Sequence, residues 1–346
     1  MIDPVDRLFL ERAVELAARG LFGVAENPRV GCILVRGGEV IGRGWHARTG
    51  GLHAEANAIA DAGGDVAGAT AYVSLEPCCH TGRQPPCTTA LIDRGVARVV
   101  GAMDDPDPRV AGKGYQTLRV GGVAVDTTNL STALELNVGY VSRVTRDLPY
   151  VRVKLAASLD GRTGMASGES RWITSPAARA DVQYWRARSS AIVTGVSTVL
   201  ADDPALTVRD QRFATDGHLR QPLVAIADSR NRTPACAKVF HGAEVLLFAA
   251  ERAEQVNLRQ MLKALAARGC NEVLVEAGPT LAGAFLGERL WDEAIVYVAP
   301  KLLGRTARPL AEIEFDRLAE TVGGRVAASD RIGDDVRVVL KPDCPS

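Results

Sequence analysis

The sequence predicts an α/β protein built from two domains, and three observations carry that expectation. The chain has 346 residues, more than one domain of roughly 100–200 residues accounts for. Short apolar runs alternate with amphipathic stretches along both halves. The pattern breaks once, near residues 140–150, where Pro149 precedes a fresh apolar strand.

The first half opens with a helical pattern over about residues 5–20, followed by VGCILV and VIGRGW as strands. A helix follows His53, and TAYVSLEP reads as a strand. TTALIDRG is a helix closed by Gly95, and ARVVGAMDD is a strand running into a polar loop, after which YQTLRVGGVAVD continues the alternation. The boundary is placed at Leu148, dividing the chain into residues 1–147 and 148–346. Beyond it, AIVTGVSTV, PLVAIADS, AEVLLFAA, EVLVEAG and EAIVYVAP are strands and VNLRQMLKALAARG is a helix, the signature of a mostly parallel sheet covered by helices. There is no internal repeat and no low-complexity tract.

Composition narrows the function classes. Forty-one basic residues balance forty-one acidic ones, so no positive field draws nucleic acid and a small-molecule substrate is expected. The N-terminus lacks a basic segment followed by an apolar core, so neither export nor a membrane partner is expected. Seven cysteines, two of them adjacent, do not resemble a secreted disulfide framework and point to reduced thiols in a cytoplasm, some bound to metal. Oligomeric state is left open, a homo-oligomer included.

The strongest chemical signal is His53-Ala54-Glu55 followed, after one strand, by Pro77-Cys78 and then Cys87. One imidazole and two thiolates are three zinc ligands, leaving the fourth position for water as catalytic sites do. Zinc lowers the pKa of bound water from about 16 toward 7, and a carboxylate that is not a ligand shuttles protons to a departing amine, a role that fits Glu55. Residues i and i+2 within a helix point about 200° apart, so His53 must lie at the helix start if both are to face one metal. The alternatives are a structural zinc or simply buried cysteines. A structural site is closed by four protein ligands, and Cys79 and His80 are immediate neighbours of Cys78, which rarely share its ion. Cys79 is taken as a non-ligand, and Cys32, Cys236, Cys270 and Cys344 as core or surface thiols.

HAE, LEPCCHTGRQPPC and DPDPRVAGKG, in this order, resemble the deaminase domain of bacterial bifunctional riboflavin-biosynthesis proteins, a cytidine-deaminase-like fold. Nucleoside and nucleic-acid deaminases usually show P-C-x-x-C instead, whereas here eight residues separate Cys78 from Cys87. The resemblance implies substrate contacts for Asn27, His46, His80, Arg83 and Asp105, around the pyrimidine or its ribose phosphate. The family usually has Asn where Asp107 stands and often Ser where Cys79 stands. Each of these residues also has a plain reading, as a turn former or a satisfied polar residue. Lys113 is either a phosphate neighbour or a solvated loop charge.

The second half has no G-x-G-x-x-G fingerprint, and its own pattern offers only a strand-to-helix turn at Glu276-Ala277-Gly278-Pro279-Thr280-Leu281, where free N–H groups at a helix start suit an anion. VKLAASLDGRTG, SRWIT, AIVTGVSTVLADDPALTVR, EAGPTLAGAFL and YVAPKLLG resemble the reductase domain of the same proteins, a fold similar to dihydrofolate reductase. That resemblance implies NADPH as cofactor, beside Ala156, Trp172, Thr198, Asp202, Ser229, Gly278, Pro279, Thr280 and Leu281. It places Lys154, Ser170, Arg186, Leu206, Arg209 and Glu276 on the substrate side. Arg186 and Arg209 suit a phosphate, and Lys154 or Asp202 suits proton transfer.

Together the resemblances imply zinc-dependent deamination of 2,5-diamino-6-ribosylamino-4(3H)-pyrimidinone 5′-phosphate, then NADPH-dependent reduction of the ribosyl group to ribityl. The alternative is a nucleoside or nucleic-acid deaminase fused to a non-catalytic nucleotide-binding module.

Overall fold

The structure is a computed structural model in which residues 2–82, 84–250 and 255–343 are described. Arg83 and Cys344 therefore lie outside the described residues. The chain divides into two compact units, Met1–Asp147 with Ala214–His218, and Leu148–Phe213 with Leu219–Ser346.

In the first unit, α1 (Pro4–Ala18) starts at Asp3, whose carboxylate caps the Asp6 N–H in a reciprocal capping box, with Pro4 at the first helical position. A five-stranded sheet follows, from β1 (Gly31–Arg36), β2 (Glu39–Trp45), β3 (Thr70–Val73), β4 (Arg98–Gly101) and β5 (Ala124–Thr127), in the order β2-β1-β3-β4-β5. β1 runs antiparallel to β2 and β3, while β3, β4 and β5 are parallel. Helices α2 (Ala54–Asp61), α3 (Cys87–Asp93) and α4 (Lys113–Val120) cover one face, and α1, α5 (Ser131–Leu136) and α6 (Val138–Arg146) supply the other. The period of two is visible in β1, where Cys32 and Leu34 join one core and Ile33 and Val35 the other. Gly31 is required there, because a Cβ would stand 2.0 Å from the Ala13 carbonyl oxygen of α1.

The second unit holds β6 (Tyr150–Ser158), β7 (Arg162–Gly164), α7 (Pro176–Arg188), β8 (Ala191–Gly195), α8 (Val196–Asp202), β9 (Leu223–Ala227), β10 (Val245–Phe248) and α9 (Leu258–Ala267). β11 (Glu272–Glu276), α10 (Pro279–Gly287), β12 (Glu293–Ala299), β13 (Arg308–Pro309), β14 (Gly324–Ile332) and β15 (Asp335–Pro342) complete it. Eight of these strands form one sheet in the order β10-β9-β8-β11-β6-β12-β15-β14. The pairs from β10 to β12 are parallel, and β12, β15 and β14 pair antiparallel. Both faces of β11 are buried, Val273 and Val275 in one core and Leu274 in the other, which is why the strand reads as an unbroken apolar run.

Two expectations need correction. AIVTGVSTV is not one strand: β8 ends at Gly195, which is the N-cap of α8, and Val196 and Val199 are buried at a helical spacing. Their β-branched side chains mimic a strand in sequence. The antiparallel end formed by β14 and β15 was not anticipated, because eight of the nine residues of β14 are exposed and carry no apolar alternation. Among the described residues no helix is long and apolar enough to cross a membrane.

Candidate active sites

The first site is assembled by two helix starts. His53 is the N-cap of α2 with an extended backbone (φ −71°, ψ 162°), and Glu55 sits in the first turn, so the sharp change of direction lets both side chains serve one site. Cys87 is the first residue of α3, after Pro86, and its N–H donates to Cys78 Sγ at 3.4 Å. His53 Nδ1 lies 3.2 Å from Cys87 Sγ and 3.6 Å from Cys78 Sγ. All three ligand atoms fall within 4.8 Å of one another, the one such cluster among the described residues. Zn–S and Zn–N bonds of about 2.3 and 2.0 Å in a tetrahedron put ligand atoms roughly 3.5 Å apart, so the donor set fits zinc.

Burial and mutual hydrogen bonds shape the electrostatics of this cluster. The Cys87 thiol donates to Cys78 and this hydrogen bond, against burial, holds Cys78 down to about 4. The bond to Cys78 likewise raises His53, with burial opposing. Glu55 is buried and outside the ligand cluster, and burial followed by the charge of Cys78 pushes its carboxyl up, the direction a proton carrier needs. Cys79 turns away, its Sγ donating to the Arg109 carbonyl at 3.7 Å.

Around this centre the structure brings Asn27 to His46. The His46 Nδ1 must donate to the Leu52 carbonyl, 2.9 Å away, which leaves Nε2 to accept from the Asn27 amide at 3.3 Å. Burial favours this neutral form, and the ring stands edge-on to His53 with centroids 5.6 Å apart. Asp105 is buried and accepts from Tyr140 Oη at 2.8 Å and from the Asp107 N–H at 2.9 Å, and burial pushes it up to about 6. Asp107 is held by Arg109, whose Nε and Nη2 reach its carboxylate at 3.0 and 2.5 Å. His80 Nδ1 is buried with no hydrogen-bond partner, and its ring lies close enough to Asp107 to help lower that carboxyl, after the larger effect of Arg109. Lys113 Nζ donates to the Pro108 carbonyl at 2.7 Å, closing its own loop.

The second site is set by strand direction. Because β6, β8, β9 and β11 are parallel, their C-terminal ends share one edge of the sheet, where α/β proteins bind ligands. Register pairs Lys154 with Glu276 and Gly195 with Ala227 along that edge. Arg186 Nε and Nη2 bond the two oxygens of Glu276 at 2.6 and 3.0 Å, and its Nη1 donates to the Thr207 carbonyl. Burial lowers Lys154, Glu276 opposing and Arg186 adding to the effect.

Thr198, in α8, accepts from the Gly278 N–H at 3.2 Å, so the two segments expected around a cofactor do meet. Gly278 caps α10 with no side-chain cap bond, and Pro279 follows it. Thr280 turns its hydroxyl to Glu312 at 2.7 Å, while Leu281 packs into the core against which β8 lies. The Ala156 carbonyl accepts from Thr163, and Ser170 lies against Gly164. Trp172 is 62% exposed with the Arg179 guanidinium 4.3 Å from its ring centroid. Ser229 is half-buried just past β9, Leu206 is buried with φ 50°, and the Arg209 side chain is exposed while its N–H donates to Gln183. Asp202 ends α8 and faces Arg171 at 3.5 Å, and among the described residues no hydrogen bond joins it to Lys154.

Sequence reasoning missed Glu76, whose buried carboxylate holds the 105–115 segment, Tyr140 and the Arg109 clamp on Asp107. A carboxylate closing the apolar strand TAYVSLEP was a signal for the first; the others had none.

A family profile described as the RibD C-terminal domain matches residues 149–336, and one described as the cytidine and deoxycytidylate deaminase zinc-binding region matches residues 4–103. The riboflavin biosynthesis protein RibD of Escherichia coli is 46% identical over 358 residues, covering 96% of this chain and 98% of that protein. The chain belongs to the RibD family. RibD of Haemophilus influenzae is 43% identical over 363 residues, covering 97% of each chain. The structure of Acinetobacter baumannii RibD, form 1, superposes with a TM-score of 0.94 at 43% identity, covering 98% of this chain and 99% of that one. That of a diaminohydroxyphosphoribosylaminopyrimidine deaminase/5-amino-6-(5-phosphoribosylamino)uracil reductase from Thermotoga maritima does so at 0.87 and 32% identity, with 98% and 99% covered. As a RibD protein the chain is a bifunctional enzyme of riboflavin biosynthesis: a zinc-binding, cytidine-deaminase-like domain and an NADPH-dependent reductase domain of dihydrofolate-reductase-like fold.

Proposed function

We propose that the two sites act in turn on one phosphoribosylated pyrimidine, 2,5-diamino-6-ribosylamino-4(3H)-pyrimidinone 5′-phosphate, first releasing ammonia and then reducing its ribosyl group to ribityl. The observation that supports this best is the three-ligand cluster of His53, Cys78 and Cys87 with Glu55 buried beside it and outside the ligand set.

His53, Cys78 and Cys87 would hold zinc. Zinc, when bound, acidifies a water at its open position. Glu55 takes a proton from the attacking water and passes it to the departing amine, a task suited to a carboxyl raised by burial. Asn27, His46, His80, Arg83 and Asp105 bind the pyrimidine and its sugar phosphate. The Asn27 amide is fixed by His46 Nε2, and His80 brings an unpaired ring nitrogen.

NADPH, when bound, supplies the hydride. Ala156, Trp172, Thr198, Asp202, Ser229, Gly278, Pro279, Thr280 and Leu281 hold it, the uncapped start of α10 suiting its phosphates. Lys154, shifted down by burial and lying next to Glu276, supplies the proton that the reduced sugar needs. Ser170, Leu206 and Glu276 complete the substrate side with Arg186. Of the two arginines, Arg209 is the one whose guanidinium is exposed for a phosphate, since Arg186 closes on Glu276.

The test is a two-signal assay on zinc-loaded protein: ammonia release from the diamino substrate, and loss of NADPH absorbance when the deaminated product is supplied. Ammonia release without NADPH oxidation leaves the deaminase half and refutes the reductase half; the converse refutes the deaminase half.

A further inference from the structure

Glu76 stands two residues before the ligand Cys78, is buried, and has no role in the chemistry described above. Its carboxylate accepts three backbone N–H groups from one distant segment: Oε2 from Asp105 at 3.2 Å and Gly112 at 3.0 Å, and Oε1 from Tyr115 at 3.2 Å. That segment carries Asp105 and Asp107. It is pressed against the segment that carries Cys78 at a further point. A Cβ at Gly114 would stand 2.2 Å from the Pro77 carbonyl oxygen and 3.0 Å from Glu76 Oε1, so only glycine allows the approach. The neighbouring Gly112 adopts φ +82°, a conformation glycine takes without strain, while offering its N–H to Glu76.

We propose that Glu76 is a positioning residue for substrate binding: it seats the 105–112 loop against the Cys78 segment and thereby places Asp105 for the part of the substrate remote from the reacting carbon. The proposal rests on the deaminase reading above. An ionised carboxylate accepts from all three donors at once, whereas a glutamine side chain has one oxygen and turns an NH₂ donor toward at least one N–H. Losing the seat therefore leaves buried N–H groups facing a donor and lets the loop lift. Because neither Asp105 nor Asp107 belongs to the metal-ligand cluster, displacing the loop should weaken binding more than the chemical step.

The experiment uses full-length, zinc-loaded Glu76→Gln and Glu76→Asp proteins beside the wild type. Four quantities are read: zinc content, kcat and KM of ammonia release, NADPH oxidation with the deaminated substrate, and the rate of trypsin cleavage after Arg109. The expected result for Glu76→Gln is full zinc, unchanged NADPH oxidation, KM raised about tenfold or more with kcat little changed, and faster cleavage after Arg109. Glu76→Asp, which keeps the charge on a shorter arm, should fall between it and the wild type. A folded Glu76→Gln with wild-type KM and cleavage overturns the proposal, and so does a loss of zinc in step with activity, which would place the effect on the metal ligands. Failure of both variants to fold assigns Glu76 to stability instead. A wild type that releases no ammonia from this substrate overturns the deaminase reading, and the trypsin comparison then still decides whether Glu76 seats the loop.

Discussion

Arg186 closes on Glu276 as a two-point ion pair, Nε 2.6 Å from Oε1 and Nη2 3.0 Å from Oε2. Lys154 occupies the adjacent position on the neighbouring strand β6, so one buried carboxylate answers two cations. Burial, the largest single effect, pushes Glu276 up, but the charge and hydrogen bonds of Arg186 together with the charge of Lys154 outweigh it, and the carboxyl ends below the ordinary range.

Removing Arg186 should therefore be felt in stability and in titration. Arg186→Ala breaks a largely buried pair, a change worth about 3–5 kcal/mol, toward the lower end here because Lys154 remains beside Glu276. Arg186 also lowers Lys154, so its removal should raise the Lys154 pKa and carry the basic limb of the NADPH-oxidation pH profile upward. Glu276→Gln should move that limb the other way. Thermal unfolding and a pH–rate profile check both, and an unchanged limb in both variants removes Lys154 from the reaction.

The metal ligands make a sharper prediction. Cys78→Ser and Cys87→Ser should each lower zinc from about one per chain, while Cys79→Ser, whose sulfur bonds the Arg109 carbonyl instead, should leave it. Metal analysis after gel filtration decides the assignment. Chelating the zinc should abolish ammonia release and spare NADPH oxidation, and loss of both without unfolding would contradict the division of labour.

Glu55→Gln separates coordination from proton transfer. The substitution replaces a buried carboxyl that bonds Cys87 but removes no ligand atom, so zinc should remain while the rate of ammonia release drops by roughly 10²–10⁴. A folded, zinc-replete variant that deaminates at the wild-type rate would end the role given to Glu55.

Asp105 offers a test of pH dependence. Burial pushes its carboxyl up to about 6, above the value near 3.9 expected in the unfolded chain. The folded protein thus binds this proton more tightly than the unfolded chain. The group costs nothing below about pH 4, and its cost grows as pH rises through 6 and is complete above it. Asp105→Asn keeps an oxygen to accept from Tyr140 and from the Asp107 N–H, so at pH 7.5 it should raise stability by roughly 3 kcal/mol, with the gain vanishing near pH 4. Ammonia release should fall in the same variant, since stability and function oppose each other at such sites. Denaturant melts at the two pH values settle the sign.

The cluster of His53, Cys78 and Cys87 was legible because metal chemistry restricts both residue type and spacing: imidazole and thiolate are unambiguous donors, and the 53-to-55 interval allowed only one helix position for His53. Glu76 was not legible as a scaffold, since its partners are backbone N–H groups 29 to 39 residues away that leave no side-chain signature. Arg186 shows a different limit. A guanidinium offers the same paired donors to a phosphate and to a carboxylate, and nothing between residues 186 and 276 tells which it will meet.

What the sequence by itself determined was the alternation of elements, the buried strands and the zinc chemistry, because each follows from local periodicity or from the donor chemistry of named side chains. Only the tertiary structure decided where AIVTGVSTV changes from strand to helix, that β14 and β15 close the sheet antiparallel, and that Arg186, Glu276 and Lys154 share one edge. These depend on strand order and register, which are set by how separate segments bury their apolar faces together, and no single segment contains that information.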